Sequence, residues 1–384
     1  MLAPLKLAWR QLALQRSRLV VALAGVVFAV VLMLMQLGFR TALFESAVRF
    51  HRAFHAEVML ISPESAFLTR MKSFPQRRLY QALAADGVVS VCPVYASLGV
   101  LKDTQAGTLS VLVVGFPPEE TVFDLPEVNA QIPLLKRPEA VLFDRASRPE
   151  YVPIIERASR SSAPIALELN DHRIHIAGLF TLGTSFGVDA TALASDLTFL
   201  GSFPSRTPGL IEVGLVRLRP GADPRRVRDA LAAALPHDVE VLTREQYVAR
   251  EIRYWATVTP IGYVLGFGVL IGFVVGGIVV SQILFADVTD HLPEYATLKA
   301  IGYGDAFLYG VVASEAVVVA VLGYLPGLLL AALLYRTARA ATLLPLELVP
   351  SSAALVFVLT VTMCTLAGAL AMRRVQKADP AAVF

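Results

Sequence analysis

The sequence predicts a membrane protein of four transmembrane α-helices with a large extracytoplasmic α+β domain between the first and second helices. Three observations predict it. Apolar residues make up 55% of the 384 and mean hydropathy is +0.61, against about 45–50% apolar in soluble domains. The excess is gathered in four blocks, Leu19–Phe39, Ala256–Ala286, Ala306–Tyr335 and Leu348–Met372, of 21, 31, 30 and 25 residues, with Glu315 their only charge. A bilayer crossing needs about 20 apolar residues. Finally, both tails are basic, which places them on the same, cytoplasmic side and fits an even number of crossings.

Residues 1–18 set Leu2, Leu5, Trp9, Leu12 and Arg16 at helical spacing among Lys6, Arg10 and Arg18. A helix at headgroup level before the first span suits that pattern. The first span, 19–39, is too long for a signal-peptide apolar core and no small-x-small cleavage pattern follows it. It is read as uncleaved.

Residues 40–255 form the outer domain, long enough for two subdomains. A helix over 41–55 continues the first span. Strands are expected at Glu57–Ile61, Val94–Leu101, Ser110–Phe116, Ala140–Phe143 and Arg173–Phe180 from their β-branched and aromatic content. Ile211–Leu218, a turn at Arg219-Pro220-Gly221, a helix from Asp223 to Leu235 and Val239–Leu242 make a β-α-β unit, with Asp223 as N-cap and Pro224 at the first helical position. A helix over 244–255 leads to the second span, and Tyr254 and Trp255 mark the outer interface. The cluster Arg70, Lys72, Arg77 and Arg78 suits a solvated loop, a partner or acidic headgroups.

The second span is 256–285. Gly262 and Gly266 are four apart, as are Gly268, Gly272 and Gly276. That spacing lets helices approach closely, within the chain or across a dimer seam. A 286–305 loop follows, then the third span, 306–335, where Gly323, Pro326 and Gly327 predict a kink. A short outer loop, 336–347, the fourth span, 348–372, and a cytoplasmic tail, 373–384, complete the chain.

Catalytic chemistry is not visible. His51 and His55, and His172 and His175, lack the neighbouring ligands of a zinc site. Thr181–Gly187 lacks the Gly-Lys-Ser/Thr end of a phosphate loop. Cys92 and Cys364 belong to different regions and are not expected to pair. Glu315 stands about 13 Å inside the third span at ~1.5 Å per residue. An intramembrane carboxylate is a candidate functional group, and a structural pairing with Arg or Tyr is the other reading.

The 286–302 loop, ADVTDHLPEYATLKAIG, is the sharpest feature. Asp290, His291, Glu294 and Lys299 flank Pro293, and Pro293 and Gly302 frame a short helix. Glu294-Tyr-Ala-Thr-Leu-Lys-Ala-Ile-Gly302 resembles the coupling-helix signature of the FtsX/MacB-type (type VII, mechanotransmission) ABC transporter permeases. Leu7-Ala-Trp-Arg-Gln-Leu12 and Asp379-Pro-Ala381 resemble that superfamily's opening and closing motifs. Met35-Gln-Leu-Gly-Phe-Arg40, Met71-Lys-Ser-Phe-Pro75, Leu142-Phe-Asp-Arg-Ala-Ser-Arg-Pro149, Gly178-Leu-Phe-Thr-Leu-Gly183 and Asp290–Lys299 resemble the DevC subfamily.

The resemblance implies a non-catalytic, homodimeric permease of a bacterial inner membrane, multi-pass with both termini cytoplasmic. It binds no cofactor itself; ATP and Mg belong to a DevA-like partner ATPase. A DevB-like periplasmic adaptor and a TolC-like outer-membrane channel complete a tripartite exporter of a lipid, glycolipid or other hydrophobic cargo. ATPase coupling falls to Asp290, His291, Glu294, Tyr295, Leu298, Lys299 and Gly302, with Tyr295 and Leu298 as apolar anchors. An FtsX-like regulator of an outer enzyme and a lipoprotein-releasing permease are the alternatives the same plan allows.

Overall fold

The computed structural model describes residues 16–161, 163–291, 293–294, 297–298 and 301–376. Residues 1–15 of the helix expected over 1–18 and the closing motif at 379–381 lie outside them. The chain divides into two compact units, one of residues 1–42 with 260–384 and one of residues 43–259.

The first unit is helical. Helix α1 (Arg16–Ala53) joins the first span to the helix expected to continue it over 41–55. Its buried residues Ala22, Val26, Ala29, Val30, Met33 and Leu34 recur at three and four, so one stripe faces the other helices. Those are, by their order in the chain, α8 (Pro260–Asp290), α9 (Asp305–Thr342) and α10 (Pro350–Gln376). Each of the four is long and apolar enough to cross a membrane, and the chain is a multi-pass membrane protein. Helix α9 continues through Pro326; its last turn closes at Leu343, with φ +58°.

In lipid, helix association relies on close packing and interhelical hydrogen bonds. Glycine supplies the closeness here. A Cβ on Gly323 or Gly327 of α9 would stand 2.6 Å from Val26 or 2.8 Å from Val30 of α1. On Gly276 of α8 it would stand 2.5 Å from Ala29 and 2.7 Å from the Met363 sulfur of α10. Gly268 and Gly272 face Gln36 and Met33 of α1, while Gly266 faces open space. Tyr335 donates to the Leu34 carbonyl and Tyr324 to that of Ala353, at 2.9 Å. Gly276→Val is therefore expected to destabilise the bundle by about 1–3 kcal/mol, the usual cost of overpacking, and Gly266→Val to leave it unchanged. Thermal unfolding of the two variants in detergent checks this.

The second unit holds β1 (Val58–Ile61), β2 (Phe74–Pro75), α2 (Arg77–Leu83), β3 (Val88–Asp103), β4 (Gly107–Phe116), α3 (Pro126–Gln131), β5 (Ala140–Asp144) and α4 (Val152–Arg160). There follow β6 (Ile165–Leu169), β7 (His172–Phe180), β8 (Thr191–Ser195), α5 (Asp196–Ser202), β9 (Leu210–Ile211), β10 (Val213–Leu218), α6 (Pro224–Ala234), β11 (Glu240–Thr243) and α7 (Arg244–Arg253). Nine strands join in the order β11-β1-β10-β3-β4-β8-β5-β7-β6.

Two arrangements share that sheet. In β11-β1-β10-β3 all neighbours are antiparallel, so β1 and β3, joined through α2, lie parallel with β10 between them. Likewise β10 and β11, joined through α6, flank β1. This is the split β-α-β, ferredoxin-like plan, and the predicted unit from Ile211 to Leu242 is its second half. Asp223 caps α6 by accepting from the Arg225 N–H at 3.0 Å. The far half of β3 pairs with β4 and also with β6, where Leu101 stands opposite Leu169. That contact closes β3, β4, β8, β5, β7 and β6 into a six-stranded ring.

Strand residues alternate between two cores. Val58 and Leu60 pack with Leu79 of α2 and Leu231 of α6; Met59 and Ile61 pack with Phe50 of α1, Phe54 just after it and Tyr247 of α7. The chain enters this unit through α1 and leaves it through α7, and a buried pair ties them. His51 Nε2 lies 3.4 Å from Glu251 Oε2, and Glu251 also accepts from the Trp255 indole N–H at 2.9 Å. A π-helical turn, Tyr254–Val258, ends α7, so the second apolar helix starts at Pro260 rather than at 256. Proline's missing N–H costs nothing at that first position.

Candidate functional site

The segment after α8 forms the candidate site. Pro293, Glu294, Thr297 and Leu298 are helical. The Thr297 hydroxyl donates to the Pro293 carbonyl at 2.9 Å, and Ile301 N–H bonds the Thr297 carbonyl at 3.1 Å. Gly302 then takes φ +104°, and Tyr303 N–H returns to the Leu298 carbonyl at 3.1 Å. A left-handed residue followed by that backward bond is the Schellman end of a helix. Nothing stands within 4 Å of a Cβ built on Gly302, so glycine is required by conformation and not by space. Gly302→Ala is expected to cost about 1 kcal/mol and Gly302→Asn less, as hydrogen exchange of the Ile301 and Tyr303 amides would show.

Burial separates the side chains. Leu298 turns inward, against the cluster of Val288, Leu308, Val311, Val312 and Met372. Expected as an anchor for a partner, it fastens the segment to its own helices, because the base of α8, α9 and α10 offers an apolar seat. His291 is buried as well. Glu294, Thr297 and Ile301, at i, i+3 and i+7, are exposed, and Leu298, four residues after Glu294, borders them on the helix. Asp290 is also exposed. Ile301 is 71% exposed and Tyr303 45%, and the Tyr303 ring leans on Phe307 at 4.5 Å. Tyr295 and Lys299 lie outside the described residues. Ile301 was missed by sequence reasoning; its place seven residues after Glu294 was the available signal.

The other singled-out residues take structural places. Glu315 is fully buried on the inward face of α9, beside Val312, Ala316 and Val319. Arg78 leaves the predicted basic cluster: its guanidinium donates to both oxygens of Asp238, at 2.7–3.0 Å. The Thr181–Gly187 loop is pinned by the buried Asp144, which accepts from Gly183 N–H at 2.7 Å and Leu182 N–H at 3.1 Å. Burial pushes the Asp144 carboxyl above its ordinary range, and these N–H groups pull it back. Among the described residues no group of three or more His, Cys, Asp or Glu is placed to hold a metal. Instead His55 pairs with Asp124, and His175 lies 3.6 Å from Glu139.

Residues 258–380, which contain this segment and the three helices around it, match the model of the FtsX-like permease C-terminal family. The C-terminal third of the chain carries an FtsX-like permease domain. Over 281 residues the chain is 28% identical to uncharacterized ABC transporter permeases of Mycobacterium tuberculosis and Mycobacterium bovis, covering 67% of this chain and 75% of theirs. Two solved structures resemble it in part. The periplasmic region of MacB from Actinobacillus actinomycetemcomitans is 10% identical with a TM-score of 0.36, covering 53% of this chain and 94% of that one. The extracellular domain of the noncanonic ABC-type transporter YknZ from Gram-positive bacteria is 12% identical with a TM-score of 0.33, covering 49% and 98%. The chain is thus similar to ABC transporter permeases.

Proposed function

We propose that the chain is the non-catalytic permease subunit of a tripartite ABC exporter in a bacterial inner membrane. The observation that carries this reading is the exposed acidic and apolar face of residues 290–303, seated through Leu298 on the base of the FtsX-like domain. Two copies of the chain meet in the membrane, and two ATPase subunits, which hold ATP and Mg, take these segments in their grooves. Ile301 fills an apolar pocket and Glu294 meets a basic rim, since binding energy concentrates in a few desolvated side chains.

Closure of the ATPase pair on ATP drives the two segments together. Helix α1 runs without a break to Ala53, and the account has it pass a tilt of the first span to the inserted domain. That domain, on the periplasmic side, acts on a conduit completed by a DevB-like adaptor and a TolC-like channel. Cargo of the lipid or glycolipid class then passes outside the four spans. Such work needs an element with two states of different contacts, and the inserted domain supplies it.

The test is purification of the full chain from native membranes with its bound proteins identified. An ATPase together with a periplasmic adaptor is the expected result. An ATPase with a cell-wall hydrolase or a lipoprotein carrier overturns the exporter, and no ATPase at all overturns the coupling site.

A further inference from the structure

The π-helical turn before α8 gathers an aromatic cluster from three distant parts of the chain. Phe67 stacks on Tyr254, with ring centroids 4.7 Å apart and planes 22° apart. It also meets the Trp255 ring edge-on at 5.3 Å, as does Phe186. Hydrogen bonds fix the 62–72 loop over the end of α7: Arg250 donates to the Ser65 carbonyl, and Leu68 N–H reaches Glu251 at 3.5 Å. The cluster is not closed over. Phe186 is 41% exposed and Val258 66%.

Its rim is cationic. Arg70 and Lys72 follow Phe67 on the loop, and Arg253 precedes Tyr254. All three are exposed, and none makes an ion pair among the described residues, although Glu64 lies on the same loop. Unpaired cations next in the chain to buried and half-buried aromatic rings are what a headgroup layer accommodates: rings at the boundary, charges among phosphates. Position in the chain agrees. Trp255 is five residues before Pro260, the first residue of the apolar helix, so the backbone keeps it within about 17 Å of that helix's start.

We propose that Phe67, Tyr254 and Trp255, ringed by Arg70, Lys72 and Arg253, form a binding site for an anionic phospholipid headgroup. The site fastens the exit of the inserted domain to the membrane surface where α8 enters it. The proposal rests on α8 crossing the bilayer and is independent of ATPase binding at residues 290–303. Arg77, exposed on α2, is no part of it.

The sequence has two tryptophans, Trp9 and Trp255, so Trp9→Phe leaves Trp255 as the sole reporter in the full chain. That protein is reconstituted in phosphatidylcholine with increasing fractions of acyl-brominated phosphatidylglycerol or acyl-brominated phosphatidylcholine, and Trp255 quenching is followed. Brominated phosphatidylglycerol is expected to quench at about fivefold lower mole fraction, the effect of one well-placed cation near a membrane surface. Arg70→Gln with Lys72→Gln and Arg253→Gln is expected to bring the two lipids to parity, and Arg77→Gln to leave the preference intact. Equal quenching by the two lipids before any substitution overturns the proposal, as does a preference that survives the triple change. Absence of quenching by either lipid overturns it too, by placing the cluster away from the bilayer.

Discussion

Glu294→Arg is expected to return ATP turnover by the partner ATPase to its permease-free rate. The carboxylate lies on the exposed face beside Thr297 and Ile301, and reversing it sets a cation against the basic rim proposed for the ATPase groove. Loss of one close charge pair at a desolvated interface costs about 2 kcal/mol or more, which is roughly 30-fold in affinity. Glu347→Arg is the control. Glu347 is exposed after the far end of α9, paired with Arg339 at 2.9 Å, and its reversal is expected to leave turnover unchanged. Side-by-side ATPase assays in nanodiscs, with the ATPase titrated, separate weaker binding from a slower cycle.

The second large effect is on stability. Glu251→Ala removes the acceptor of the Trp255 indole N–H and the partner of His51, both of them buried. Leaving a buried polar group without its partner costs about 1–3 kcal/mol, here for both the indole N–H and the imidazole. For a domain of this size each kcal/mol is worth about 2–4 °C, so a fall of roughly 10 °C in apparent melting temperature is expected. His51→Phe combined with Glu251→Leu, which replaces both partners by apolar groups, is expected to recover part of it. A double-mutant cycle on the full chain measures the coupling. If Glu251→Ala melts within 2 °C of the unsubstituted chain, by the same conversion, α1 and α7 are not tied through this pair.

Much of the architecture was legible because its signals are local. Charge-free runs gave the four long helices, and Asp223-Pro224 gave the start of α6. What escaped was set by tertiary context. Strand β8 reads Thr-Ala-Leu-Ala-Ser, poor in strand-forming side chains, yet lies between β4 and β5 with every residue buried. Small residues are what the crowded wall of the ring admits. Ring closure itself depends on Leu101 and Leu169, too far apart in sequence for any pattern to join. The glycines of α8 illustrate the same limit: their four-residue spacing announced a close approach, but only the fold shows Gly268, Gly272 and Gly276 turned toward α1.

The candidate site was legible in part. Gly302 as the helix end follows from sequence, because a left-handed terminus favours glycine. The faces do not follow from it. Leu298 and Ile301 are both apolar, and which one turns inward depends on how the segment seats on Leu308, Val311 and Met372. A helical wheel anchored on Glu294 places both beside it, and hydrophobicity alone favoured Leu298. Arg78 teaches a similar lesson, since membership of a basic run hid its pairing with Asp238, 160 residues away.

The central claim is that the exposed face of residues 290–303 receives the ATPase. Both native cysteines, Cys92 and Cys364, are buried, so Ile301→Cys introduces a selectively accessible thiol for a photo-activated cross-linker. In membranes containing the partner ATPase, the account predicts a cross-link from position 301 to that ATPase. It predicts none from Leu343→Cys at the far end of α9. A cross-link from 343, or from neither position, would contradict it.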